Sequence, residues 1–268
     1  MALPVVQPVT SLWRNRGLIR TMVFREIQAR YRGSLGDMVW TVLHPLLLMA
    51  VYFFVFGIVL RARFAADPSP SGFVLYFFAG MLPWLAFSEA VGRAPFVLLE
   101  GRTLIKKIRF PMEILPANPV FAGLLTQAIA TVIYLVALAL IRGGLPPTVL
   151  YLPVLLIPQI LFTLGLCWLF AALGLFLRDL GQVIGFLLTL WFFLTPICYP
   201  EASLPQWAIR PLSYSPIYQL VRGYRAILLE ARLPDAVPVA ALWTTAAVTA
   251  MLGYFVFQRL RPSFADIV

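Results

Sequence analysis

Charge is scarce in this chain. Asp, Glu, Lys and Arg together make up 12% of its 268 residues, about half of what a soluble domain carries. So few charges cannot build an ordinary water-facing surface, and with 61% of residues hydrophobic the composition is equally far from disorder. Histidine occurs once, at His44, and cysteine twice, at Cys167 and Cys198, both in or beside apolar runs. Clustered His/Cys metal sites, Ser–His–Asp catalysis and a disulfide framework therefore have little to work with. No glycine is followed by lysine, which excludes a Gly-Lys-Ser/Thr phosphate loop and ATP hydrolysis by that route. Acidic residues number 11 against 21 Lys and Arg, a net charge of +10. In a nucleic-acid binder such an excess would form a solvated patch. Here it is strung between long apolar runs, the pattern of basic loops at an anionic membrane surface. An integral membrane protein is what these absences leave.

A helix crosses the hydrocarbon with roughly 17–25 mostly apolar residues. Six runs fit: Met38–Leu60, Phe73–Val91, Ala117–Ile141, Leu150–Phe176, Val183–Tyr199 and Ala236–Phe257. The expected architecture is an all-α polytopic membrane protein, a single transmembrane domain over residues 1–268. Residues 1–37 form an N-terminal interfacial helix, 38–257 hold the six spans, 93–113 form a loop, and 200–235 form short re-entrant or interfacial helices. The first 37 residues contain no apolar run long enough for a signal peptide. With the N-terminus inside, 14 Lys and Arg fall in inner segments and 7 in outer ones, which places both termini in the cytoplasm. No internal repeat supports an inverted-repeat transporter.

Three pieces outside the spans read as structured. In the N-terminal stretch, Arg14, Arg25, Gln28 and Arg32 share one side of a helix, with Leu18, Met22, Val23 and Ile27 on the other. Trp13 and Tyr31 are its interfacial anchors. The loop Arg93–Glu113 holds the only two lysines, Lys106 and Lys107. In the outer segment, Ser215 then Pro216 reads as an N-cap oxygen and a pre-set first helical residue. Ile217, Leu220, Val221, Tyr224 and Leu228 follow on one face, and Arg222 and Arg225 occupy another.

Ionisable groups within the spans are few. His44 before Pro45 reads as a structural cap on a helix break, the sharper option being a gate or proton relay. Glu89 reads as a partner for Arg93, and Asp179 as a partner for Arg178 or a cap for the next helix. Several carboxylates at membrane depth, the mark of ion-coupled transport, are lacking. Aromatics make up 14% of the chain and cluster around Tyr52, Phe53 and Phe56, around Tyr76–Phe78, and around Trp191 and Phe192. They read as helix anchors at the headgroups or as flat rings over which sugars slide through weak, repeated contacts.

Four stretches carry a resemblance: FREIQARYRGSLGDMVWTVLHPLL (Phe24–Leu47), TLIKKIRFPMEILP (Thr103–Pro116), RDLGQVIGFLLTLWFFLTPICYP (Arg178–Pro200) and SPIYQLVRGYRAILL (Ser215–Leu229). Together with the six-span layout they make the chain resemble the ABC-2 permease subunits of bacterial transporters that export O-antigen and related polysaccharides. The resemblance implies a half-channel that forms a homodimer and binds two copies of a nucleotide-binding ATPase. In the family the loop between the second and third spans inserts into that ATPase, which here falls on Arg102, Lys106, Lys107, Arg109 and Phe110. Arg25, Arg30 and Arg32 match the basic stretch beside a lateral gate and would attract the diphosphate of a polyprenyl-linked glycan. Tyr52, Phe53, Phe56, Trp191 and Phe192 are the aromatic candidates for the glycan channel. The chain departs from the family's commonest spelling at Ser215, where asparagine is frequent, and at Arg222, where an acidic residue is common.

The resemblance further implies no cofactor or metal on this chain, with ATP and Mg in the partner subunit, membrane lipids around it and no nucleic acid. The place is the bacterial inner membrane. Two alternatives stand beside O-antigen export: a permease for capsular polysaccharide or teichoic acid, and a membrane enzyme acting on polyprenyl-phosphate lipids. The enzyme would need clustered carboxylates or a metal site at the inner face, and Asp37, Glu89, Glu100, Glu113 and Asp179 show no such spacing.

Overall fold

The computed structural model describes residues 6–31, 39–59, 70–107 and 110–267. Among them the chain is helical throughout, with no strand. Two helices, α1 (Val6–Arg14) and α2 (Arg16–Tyr31), precede α3 (Val39–Tyr52), which runs on into a π-helical stretch, Phe53–Val59. Next come α4 (Pro70–Arg93), the turn Ala94–Phe96, the short helices α5 (Val97–Glu100) and α6 (Arg102–Lys107), and α7 (Ile114–Arg142). Then follow α8 (Leu152–Gly174), α9 (Leu180–Leu194), α10 (Gln206–Ser213), α11 (Pro216–Leu228), α12 (Ala236–Leu260) and α13 (Phe264–Ile267).

Of the six apolar runs, four fall in helical stretches long and apolar enough to span: Ser71–Glu100, Ile114–Arg142, Pro147–Gly174 and Ala236–Ser263. The first run is helical over 39–59 among the described residues, and the fifth is a shorter helix. In the first, 14 residues of α3 are continued by the 7-residue π-helical stretch. The fifth, α9, has 15 residues and rises about 22 Å at 1.5 Å per residue, less than the ~30 Å hydrocarbon. Thr195 ends it in an extended conformation and turns carry the chain on to Pro200. α7 ends at Gly143, whose φ of 75° lies in the left-handed region that glycine enters at no steric cost.

Transmembrane helices gain little from burying apolar groups out of lipid, so close backbone approach holds them together. α8 and α12 cross at Gly165 and Gly253. A Cβ on Gly253 would overlap the Gly165 carbonyl, and one on Gly165 would overlap Thr249. α4 and α7 meet at Gly123, where a Cβ would lie 3.0 Å from the Ala86 carbonyl oxygen.

The expected outer helix, interfacial or re-entrant, is α11. A helix lying in the membrane interface would turn its charged face to water. Instead nearly all of α11 is buried against α4, α8 and α12. Its Tyr224 closes a polar triad in the bundle. The Gln127 side-chain amide donates to the Tyr224 hydroxyl at 2.8 Å, and that hydroxyl donates to the Gln159 carbonyl oxygen at 3.0 Å. Gln159 donates in turn to Gln127 at 2.7 Å. Three helices are thereby tied by groups that satisfy one another, as an apolar interior requires.

Candidate functional site

Two clusters of polar side chains sit at opposite ends of the bundle. The loop end carries the C-termini of α4, α8 and α12, the N-termini of α7 and α9, and the helix pair α1–α2. Here residues 94–107 and 110–113 are folded. Gly174 and Gly181 have no side chain because the Pro95 carbonyl and the Phe96 ring occupy those places. The turn Ala94–Phe96 is thus wedged between the end of α8 and the start of α9. Leu98 and Ile105 are buried, while Arg102 and Thr103 face outward. Gly101, between α5 and α6, lies against Leu115, where a Cβ would meet a methyl at 2.8 Å.

Two carboxylates fasten this hook. Glu26 of α2 accepts from Arg93 at the end of α4 and from Asn118 of α7. Arg93 also bridges Glu100 at 3.1 Å. Glu113, only 7% exposed, accepts from the Ser11 hydroxyl of α1 at 2.6 Å and faces Arg261 beyond α12 at 3.6 Å. The backbone carbonyl of Glu113 accepts from the Trp168 indole of α8 at 3.1 Å. A displacement of the hook would therefore be felt by α1, α2, α4, α7, α8 and the C-terminal segment together. Pairing Arg93 with Glu26 and Glu100 differs from the expected Glu89–Arg93 pair. A single-helix projection of α2 does not show that a second helix supplies the partner of Glu26.

The expected contact residues of this loop divide. Arg102 is exposed. Lys106 and Lys107 close α6, with side chains outside the described set, and Arg109 lies outside the described residues. Phe110 is 9% exposed and packs into the core, where it anchors the returning chain. On α2, Ile19, Val23 and Ile27 form the buried stripe, whereas Leu18 is exposed. Arg25 is exposed on this helix; the Arg30 side chain and Arg32 lie outside the described residues.

At the far end, α11 gathers the second cluster. Arg222 grips Glu201 through both carboxylate oxygens, at 2.6 and 2.8 Å, and Tyr218 donates to the same carboxylate. Burial, reinforced by the Glu201 carboxylate, lifts the Tyr218 phenol above its ordinary pKa and keeps it a donor. Burial alone would lower Arg222, but Glu201 outweighs it and holds the guanidinium above its ordinary value. The departure from the family spelling at Arg222 thus has a specific ion pair beside it.

Arg225, one turn on, is 2% exposed. Its guanidinium donates to the carbonyls of Pro196 at 2.7 Å, Ile197 at 3.0 Å and Tyr76 at 3.2 Å. It also stacks over the Tyr76 ring at 3.4 Å. Gly80 of α4 leaves room for it, since a Cβ there would lie 2.8 Å from the guanidinium. The expected face shared by Arg222 and Arg225 is therefore split between a half-exposed ion pair and a buried clamp. Ser215 starts α11 as expected, but its hydroxyl makes no cap; it accepts from the Trp191 indole at 3.1 Å.

Three of the aromatic candidates pack within the bundle. Tyr52 lies 4.4 Å from the Phe77 ring and Phe192 lies 5.4 Å from Trp84, while Trp191 meets Phe87 edge-on at 5.4 Å. Phe53 and Phe56 fall in the π-helical stretch, their side chains outside the described set, as is that of His44 in α3. Asp179 precedes α9 without a side-chain cap. No group of three or more His, Cys, Asp or Glu suited to a metal occurs among the described residues.

Among the described residues, four helical stretches long and apolar enough to span, a helix pair tied to a folded loop, and a buried helix clamped at the far end fit a membrane transport subunit. Residues 17–229 match the ABC-2 type transporter family, and the chain belongs to it. The O-antigen export system permease protein RfbA of Myxococcus xanthus is 36% identical over 267 residues, covering 98% of this chain and 100% of that one. A protein of the same name from Klebsiella pneumoniae is 26% identical, with 94% and 95% covered. The polysialic acid transport protein KpsM of Escherichia coli is 20% identical, with 90% and 92% covered. The chain is thus an integral membrane permease subunit of the ABC exporter class.

Proposed function

We propose that this chain forms the channel of an ATP-driven exporter carrying lipid-diphosphate-linked O-antigen polysaccharide across the bacterial inner membrane. The near full-length likeness to permeases named for O-antigen export carries the reading. The fastened hook at residues 94–107 and 110–113 supports it mechanically. A nucleotide-binding ATPase docked on Arg102, Lys106, Lys107 and Arg109 would push on a lever that Phe110 anchors in the core and that is tied through Glu26 and Glu113 to six helical segments. ATP and Mg belong to that partner, and this chain hydrolyses nothing. The loop end and both termini then face the cytoplasm, where Arg25, Arg30 and Arg32 meet the diphosphate.

A second copy of the chain would complete the channel, and two ATPase subunits would bind the pair. The exposed apolar face of α9, made by Val183, Phe186, Leu190 and Phe193, suits that contact. Tyr52, Phe53, Phe56, Trp191 and Phe192 would line or brace the path. The likeness to a polysialic acid transport protein favours one second reading, a capsular polymer as cargo. Co-expression with a candidate ATPase subunit that carries the phosphate loop tests the proposal. The two should co-purify with Mg-dependent hydrolysis that the permease alone lacks. Hydrolysis by the isolated chain, or no association, would refute it.

A further inference from the structure

On the side of α2 away from Arg25, an apolar cavity of about 570 Å³ opens between the N-terminal helix pair and the bundle. Ile19 and Val23 form one wall; Phe121 and Leu125 of α7 and Ile160 and Leu161 of α8 form the other. The space is far larger than the few tens of Å³ a water takes, and such apolar walls give water nothing to bind. Hydrocarbon suits it. Arg16 and Arg20 stand at its rim, one helical turn apart and both exposed. Arg16 lies over the Trp13 ring at 5.1 Å, and neither arginine pairs with a carboxylate among the described residues. Trp13, itself 70% exposed, marks the headgroup level at which such a residue settles.

We infer that this groove binds an anionic phospholipid of the surrounding leaflet, acyl chain between α2 and α7–α8 and phosphate on Arg16 and Arg20. The forked guanidinium donors match phosphate oxygens, and two cations without a carboxylate favour a headgroup of net negative charge over a zwitterionic one. The site is separate from the basic stretch proposed for the exported lipid. At ~100° per residue, Arg25 lies roughly 180° around α2 from Arg16 and roughly 140° from Arg20. Holding α2 against the bundle also holds Glu26 on Arg93, so a bound lipid steadies the loop. That last consequence rests on the proposed coupling role of the loop, whereas the binding site does not.

The experiment is native mass spectrometry of the purified, partly delipidated protein titrated with phosphatidylglycerol or with phosphatidylcholine of the same chains. Wild type should retain phosphatidylglycerol preferentially. Arg16→Gln with Arg20→Gln should cut that preference about tenfold, and Leu125→Trp, which fills the groove, should cut retention of both lipids. Arg25→Gln should leave phospholipid retention unchanged. Quenching of Trp13 by brominated phosphatidylglycerol, taken as the difference from Trp13→Phe, reads the same site without disturbing the groove. Equal retention of the two lipids by wild type, equal losses in Arg25→Gln and the double variant, or absence of Trp13 quenching would overturn the inference. So would displacement of phosphatidylglycerol by a polyprenyl-diphosphate glycan at equimolar concentration, which would make the groove the cargo's own.

Discussion

Replacing Arg225 by Met should destabilise the protein far more than the same change at Arg222. Arg225 is 2% exposed and gives hydrogen bonds to three carbonyls. A buried acceptor stripped of its donor costs ~1–3 kcal/mol. The gross loss is then several kcal/mol, partly offset because Met avoids the cost of burying a charge. A net loss of about 2–4 kcal/mol remains, and at about 2–4 °C per kcal/mol for a chain of this size it lowers the melting temperature by roughly 4–16 °C. Lys should rescue little, since a compact ammonium cannot span the Pro196 and Ile197 carbonyls while covering the Tyr76 ring. Arg222 is 39% exposed in its ion pair, and such pairs contribute about 0–1 kcal/mol. Thermal melts followed by size-exclusion fluorescence in detergent measure the difference. Arg225→Met melting within about 2 °C of wild type, or Arg222→Met melting lower than it, would refute the clamp.

Gly253→Leu should force α8 and α12 apart at Gly165 and reduce the yield of folded protein severalfold, whereas Gly185→Ala, with nothing within 4 Å of the new Cβ, should be neutral; membrane-fraction yields compare them. Replacing Lys106, Lys107 and Arg109 together with Ala should weaken co-purification of the ATPase and export while leaving membrane insertion intact, checked by pull-down and fractionation. Glu26→Gln should free Arg93 from α2 and lower transport per ATP hydrolysed more than it lowers ATPase docking. Arg25→Gln with Arg32→Gln should reduce affinity for the diphosphate-linked glycan, by roughly tenfold or more at ~1 kcal/mol per charge, and more than affinity for ordinary anionic phospholipid.

Span positions were legible because hydropathy needs no tertiary knowledge. Ala117–Ile141 was read where α7 runs Ile114–Arg142, and Ala236–Phe257 where α12 runs Ala236–Leu260. Pro216 marked the start of α11 for an equally local reason, a proline pre-set for the first helical turn. What stayed hidden depends on partners distant in sequence. Arg225 read only as sharing a face with Arg222, because its acceptors come from the turn after α9, 28 and 29 residues away, and from Tyr76 of α4, 149 residues away. Glu26 and Arg93 lie 67 residues apart, and Gln127 and Tyr224 lie 97 apart. The shortness of α9 escaped the reading because Thr195–Tyr199 is apolar enough to look like more helix.

Deleting the gene and locating its glycan tests the central claim most directly. The expected result is loss of surface polysaccharide with polyprenyl-diphosphate-linked polymer accumulating on the cytoplasmic side. Wild type should restore export, and the Lys106, Lys107 and Arg109 triple variant should not. Surface polysaccharide at the wild-type level in the deletion strain, with no internal lipid-linked polymer, would contradict it.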